Sequence, residues 1–372
     1  MTPSNGAPGA DAPVDPAGRR ARVRERFEDS AAVAFVVSSI VNVRYLTGFT
    51  GSAGTLALFS EGPALLVTDS RYDPQATEEV DDGVEVRIAS RSSLAEVREE
   101  LASRGAVPVA VEGEHLTVAK WEEWREEGGP EAEGVTGWVE DVRAVKAPAE
   151  VDAIRRAAEI VDGVLAEVLE LVRPGVAERK LAAELVHRVL TAGAERMAFD
   201  PVVAFGERSA LPHARATARE LVPGELALFD FGAVVDGYCS DLTRTVSCGD
   251  PGDEMREVYD VVHDAQAAAI EGLRGGMSGR EADALAREPI EAAGWGERFG
   301  HSLGHGVGLE IHEAPKMSKK SEDSVPAGAV VTVEPGVYIA GRGGVRIEDD
   351  VVVRSDGCEV LTSAPKDELL IL

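Results

Sequence analysis

Cysteine is scarce in this chain. Only three occur, Cys239, Cys248 and Cys358, an odd number at irregular spacing. Such a set supports neither a disulfide framework nor a thiolate zinc site, and it makes reduced thiols in a cytoplasmic setting the expectation. Basic residues are also few. The 38 Lys and Arg stand against 66 Asp and Glu, a net charge of −28. A surface this acidic repels phosphate backbones and anionic lipid, which argues against nucleic acid and membranes as partners. No apolar run approaches the roughly 18 residues that a spanning helix needs. Residues 1–19, rich in Pro, Ala, Gly and Asp, lack the basic start and apolar stretch of a signal peptide and read as a disordered tail.

What is present suffices for sizeable cores. Hydrophobic residues make up 44% of 372, enough for about two domains of the usual 100–200 residues. The first half alternates β-rich runs (Ala32–Val37, Gly54–Phe59, Ala64–Val67, Val84–Ile88, Val107–Val111) with helical ones (Leu94–Ala102, Val118–Glu127), the pattern of an α/β domain. Residues 127–134 read as turn. A long amphipathic helix then opens at Pro148-Ala149-Glu150 and runs to Val172, so the boundary falls near residues 142–150. The second half separates helices (Glu178–Ala194, Glu254–Leu273, Arg280–Ala293) from tight strand pairs, which suggests an α+β domain. Ser278 and Glu281 form a capping-box pattern.

The segment from Leu226 to Cys248 holds two β-runs joined by Asp236-Gly237, a strong hairpin signal. A two-residue turn there sets Val235 opposite Tyr238 and Asp230 opposite Thr243, so Asp230 and Asp241 share one face as diagonal neighbours roughly 7–8 Å apart. Asp230 lies among Leu226, Leu228, Phe229 and Phe231, where a carboxylate is costly unless paired, hydrogen-bonded or bound to metal. The plainer alternative is a solvent-facing Asp241 and a turn-capping Asp230. From Val330 to Val352 two more β-runs flank a glycine turn. Glu334 sits in an apolar run there, and Arg346 and Glu348 share a face, either as a surface ion pair or as part of a buried site. The stretch from Gly300 to His312 packs three of the seven histidines, His301, His305 and His312, among helix-breaking glycines. His213 follows Leu211-Pro212 in a turn.

Asp230, Asp241, Glu334 and Glu348, with His305 as nitrogen donor, could together hold two divalent cations. Oxygen donors suit manganese, magnesium or calcium, and an imidazole admits zinc, iron or cobalt. Two such ions support metal-assisted hydrolysis.

The segments FDFGAVVDGYCSDLTRT, GHSLGHGVGLEIHEAP, TVEPGVY and GGVRIEDD resemble the proline-specific pita-bread metallopeptidases, Xaa-Pro aminopeptidase (aminopeptidase P) and Xaa-Pro dipeptidase (prolidase). YLTGFTGSAGTLAL and LLVTDSRY resemble the creatinase-type N-terminal domain of that family. The resemblance runs from about residue 22 to the C-terminus. It implies an α/β creatinase-like domain over 20–145 and an α+β pita-bread catalytic domain over 146–372. It also implies metal ligands Asp230, Asp241, His305, Glu334 and Glu348, two divalent ions (Mn2+, with Co2+ or Zn2+ possible) and a homodimer. His213, His301 and His312 match substrate-contacting histidines, and Arg346 matches an arginine that holds a ligand carboxylate. The implied reaction is hydrolysis of the bond between an N-terminal residue and proline in a di- or oligopeptide. Water activated by the two metals attacks, Glu334 handles its proton and His312 stabilises the oxyanion. A metal-dependent lyase or hydrolase of a small molecule, or an inactive binding protein, are the alternatives on such a scaffold. Asp69, Arg71 and Tyr72 form a polar cluster that either starts a helix or serves the mouth of the site.

Overall fold

The computed structural model describes residues 15–372, and the tail expected over residues 1–14 lies outside them. The described residues divide into two compact units between Arg143 and Ala144.

In the N-terminal unit, strands β1 (Ala34–Val37), β2 (Thr55–Phe59), β3 (Ala64–Asp69), β4 (Val84–Ala89), β5 (Val109–Glu112) and β6 (Ala132–Val135) form one sheet in the order β4-β3-β2-β1-β5-β6. Only β1–β2 and β2–β3 are antiparallel. The helices are α1 (Pro16–Arg24), α2 (Ile40–Thr47), α3 (Asp73–Glu79), α4 (Ser93–Ser103), α5 (Val118–Glu126) and α6 (Glu140–Ala144). Val36, Leu65, Val67, Val97 and Val109 are fully buried between sheet and helices.

Two details depart from the sequence reading. Residues 16–19 are helical rather than part of a tail. Asp15 caps α1 by accepting from the Gly18 N–H, and the buried Arg19 and Arg20 donate to the Tyr45 and Leu46 carbonyls at 3.0 and 2.7 Å. These carbonyls end α2, where cations are favoured. The stretch 127–134 is not all turn, because β6 pairs parallel to the free edge of β5 although its own Glu133 and Gly134 carry no strand signal. At Asp69 the plainer reading applies: its carboxylate caps a short 3-10 turn through the Arg71 N–H and pairs with the Arg71 side chain.

The second unit opens with α7 (Pro148–Leu169) and α8 (Glu178–Thr191). Next come β7 (Arg196–Met197), β8 (Val202–Phe205), β9 (Glu225–Phe231), β10 (Ala233–Val235), β11 (Tyr238–Cys239) and β12 (Leu242–Cys248). Then follow α9 (Asp253–Gly272) and α10 (Gly279–Ala292), with the Ser278–Glu281 capping box formed. Last are β13 (Gly304–Gly306), β14 (Glu313–Met317), β15 (Val330–Val333), β16 (Gly336–Ile339), β17 (Gly343–Arg346), β18 (Asp349–Arg354) and β19 (Gly357–Val360).

This unit has two cores. In one, Ile154-side residues of α7 such as Val161, Val164 and Val168 join Leu181 and Leu185 of α8 against Phe229, Phe231 and Leu242. In the other, Val258, Val262, Ala286 and Ile290 of α9 and α10 pack on Val331, Val333, Val351 and Val353. Each fully buried Val or Leu contributes about 1.5–3 kcal/mol, so the helical stripes seen in the sequence are the main glue. The expected hairpin register holds throughout. Val235 faces Tyr238, Phe231 faces Leu242 and Asp230 faces Thr243. Asp236 and Gly237 both take positive φ, 50° and 86°, as a type I′ turn requires. The two cores meet where Glu348 bridges to Thr243, its N–H on the Thr243 carbonyl at 3.1 Å.

Candidate metal centre

Nine side chains singled out in the sequence line one cavity of about 830 Å³: Asp230, Asp241, His213, His301, His305, His312, Glu334, Arg346 and Glu348. The two strand systems supply them from opposite sides. Asp230 lies next to the end of β9 and Asp241 precedes β12, while His305 lies in β13, Glu334 follows β15 and Glu348 precedes β18.

Donor atoms of Asp241, His305 and Glu348 lie within 4.8 Å of one another, close enough to share one cation. His305 Nε2 is 3.8 Å from Asp241 Oδ2 and 3.4 Å from Glu334 Oε1. Its Nδ1 lies 3.1 Å from the Gly306 carbonyl, which can only accept. Neutral His305 therefore carries its hydrogen on Nδ1 and turns the Nε2 lone pair towards the carboxylates, the tautomer of a metal ligand.

Supporting bonds fix the carboxylates. The Thr243 hydroxyl donates to Glu348 and accepts from Arg346 Nε at 3.0 Å. The Asp241 N–H donates to Asp350 at 2.9 Å. Thr332 accepts from the His305 N–H at 3.1 Å and donates to Glu334 at 3.2 Å. Arg346 pairs with Asp230, not with Glu348 as a surface ion pair would have it, and both partners are buried. A second Arg346 nitrogen donates to the Tyr338 hydroxyl at 2.8 Å, and that hydroxyl lies 2.8 Å from His301 Nε2.

The electrostatics are those of crowded anions. Burial lifts Asp230, Asp241 and Glu348 above the ordinary carboxylate range; at Asp241 the charges of Glu348 and Asp230 push the same way. Glu334 is pushed up to about 7, first by burial, then by Asp230 against the opposing Arg346. Burial and His312 bring His305 down to about 4, and burial with Arg346 does the same to His301. Among the described residues, Asp241 Oδ1 is buried without a hydrogen-bond partner. An unmatched carboxylate oxygen in a low-dielectric site is costly, and a hard divalent cation meets that need. The residues present therefore fit such an ion.

Residues 152–355 match the profile of metallopeptidase family M24. The chain belongs to that family. Residues 19–145 match the creatinase/prolidase N-terminal domain. An uncharacterized peptidase of Bacillus subtilis is 41% identical over 94% of this chain and 99% of its own. Among solved structures, an Xaa-Pro dipeptidase from Bacillus anthracis is 39% identical with a TM-score of 0.93, covering 96% of this chain and 100% of that one. An X-Pro aminopeptidase from Thermotoga maritima is 36% identical with a TM-score of 0.86, covering 95% and 99%. The N-terminal unit is thus a creatinase-type domain and the second unit an M24 pita-bread catalytic domain.

Several residues of this M24 site escaped the sequence reading. Thr243 was legible as the hairpin partner of Asp230, but its role as a bridge between Arg346 and Glu348 was not. Asp350 and Tyr338 act across strand pairings that no local motif encodes. Lys316 and Arg215 line the cavity and add positive charge to that of Arg346.

Proposed function

We propose that this M24 metallopeptidase hydrolyses the bond between an N-terminal residue and proline, with Asp230, Asp241, His305, Glu334 and Glu348 holding two divalent cations. Manganese is the first choice, and cobalt or zinc also suit the donors. The observation that carries the reading is the buried, unpartnered oxygen of Asp241 amid three other carboxylates. When bound, the ions would supply Lewis acidity and make water a better nucleophile near neutral pH.

The chain's own residues do the rest. Asp230 pairs with Arg346, so this carboxylate keeps its orientation. Glu334 takes the proton of the attacking water and returns it to the proline nitrogen as the bond breaks. His312, stacked edge-on to His305 at 4.3 Å between ring centroids, donates to the carbonyl oxygen as negative charge builds on it. His301 and His213 flank the proline. Lys316 and Arg215 suit the carboxylate of a short peptide, so the smallest substrates gain most from this cavity.

The test is a rate comparison on metal-stripped protein reloaded with manganese, using an Xaa-Pro dipeptide, an Xaa-Pro-Yaa tripeptide and an Xaa-Ala-Yaa control. Cleavage of the dipeptide above the tripeptide supports a prolidase, and the reverse order an aminopeptidase. Manganese binding with no cleavage of either proline peptide rules out both.

A further inference from the structure

The loop that carries His213 leaves β8 at Phe205, and both of its ends meet one side chain. That side chain is Glu178, the first residue of α8, which is completely buried. Its Oε1 accepts from the Phe205 N–H at 3.1 Å and from Arg208 Nε at 2.9 Å. Its Oε2 accepts from the Thr217 N–H at 2.8 Å and from the Thr217 hydroxyl at 2.6 Å. A carboxylate offers about four lone-pair positions, so the set is complete. Arg208 extends the tie by donating to the Arg215 carbonyl at 2.6 Å. Beyond Thr217 the chain runs beside the start of α8, with the Arg179 N–H on the Thr217 carbonyl at 2.9 Å and the Glu178 N–H on the Arg219 carbonyl at 3.0 Å.

Ser209 anchors the first part of the loop, its buried hydroxyl donating to the Gly206 carbonyl at 2.7 Å and accepting from the Gly344 N–H at 2.8 Å, but beyond it the loop has little packing of its own. Ala214 is buried, whereas Leu211, His213 and Arg215 are exposed. Arg346 reaches its middle at the Pro212 carbonyl, 3.4 Å away. A buried carboxylate is tolerated when its charge and lone pairs are matched, and here the match holds only while residues 205, 208 and 217 keep fixed separations.

We infer that Glu178 is a positioning residue for substrate: it clamps the loop so that His213 is held at the cavity wall. The inference rests on the proposed reading of His213 as a substrate contact. Neither Glu178 nor Thr217 lines the cavity, so their effect reaches the reaction only through the loop.

The test uses the manganese-loaded enzyme and three variants, Glu178→Gln, Thr217→Val and Thr217→Ser. Losing a charge-assisted bond should raise KM for an Xaa-Pro dipeptide about tenfold in Glu178→Gln and about threefold in Thr217→Val, with kcat changed much less. Thr217→Ser keeps the hydroxyl and should keep the parent KM. Trypsin cleavage after Arg215 should accelerate in the first two variants, and manganese affinity should not move. If Glu178→Gln fails to fold, the exposed Thr217 pair carries the test alone. Unchanged KM and unchanged trypsin cleavage overturn the clamp, as does manganese affinity falling as KM rises. If His213→Ala keeps the parent KM, the substrate contact is wrong; faster trypsin cleavage in Thr217→Val then still supports the clamp, and an unchanged rate overturns it.

Discussion

Asp241, Glu334 and Glu348 are each harder to ionise than a free carboxyl, and burial is the first cause at all three. A group with a raised folded-state pKa is stabilising while protonated. That contribution is complete below its unfolded value of 4.5 and is lost as pH rises through about 7 for Glu334. The metal-free protein should therefore lose melting temperature as pH rises across that window. A cation binds the deprotonated ligands, so manganese affinity should fall as pH drops across the same range. Glu348→Gln removes one repelling charge. It should raise the metal-free melting temperature and weaken manganese binding by more than about a hundredfold, beyond what loss of a supporting partner costs. Calorimetry reads both, and a metal-free melting temperature that rises from pH 5 to 7 would contradict the assignment of these acidities.

At the scale of elements, the site depends on strands that approach more closely than side chains allow. A Cβ on Gly304 would lie 2.0 Å from the Thr332 carbonyl oxygen, so β13 can sit beside β15 only because this residue is glycine. Gly304→Ala should move His305 away from Glu334, destabilise the protein by about 1–3 kcal/mol and weaken metal binding, as denaturant unfolding and titration would show. Parent stability and affinity would mean that the strands yield without cost. The hairpin from Leu226 to Cys248 was readable because Asp236-Gly237 sets the register and period-two alternation then assigns each face. The bulge between His305 and Gly306 was not, since it follows from how β13 fits between two partners. The edge strand β6 was hidden for a related reason: β5 supplies its hydrogen bonds, and its own composition says turn.

For the molecule as a whole, the net charge is −28, and four of its carboxylates, Asp230, Asp241, Glu334 and Glu348, gather in one cavity of the catalytic unit. A cation bound only by the folded state stabilises it by mass action. Manganese at about 100 times its dissociation constant should add about 2.7 kcal/mol, seen as a higher melting temperature by calorimetry. A melting temperature indifferent to manganese would sink the ligand set. Among the described residues no helix is long and apolar enough to cross a membrane, in line with the absence of long apolar runs.

Residue type and spacing by themselves determined the hairpin register and singled out nine of the residues that line the cavity. These are local matters: periodicity tells which face of an element is buried, and a carboxylate in an apolar run needs a partner wherever it lies. Tertiary structure alone decided that Arg346 takes Asp230 rather than Glu348, that Thr243 stands between Arg346 and Glu348, and that Glu178 gathers both ends of the His213 loop. Those pairings join residues 27 to more than 100 positions apart in the chain. Hydrogen-bond geometry selects among many chemically equivalent donors, and only the packed strands bring one of them into reach.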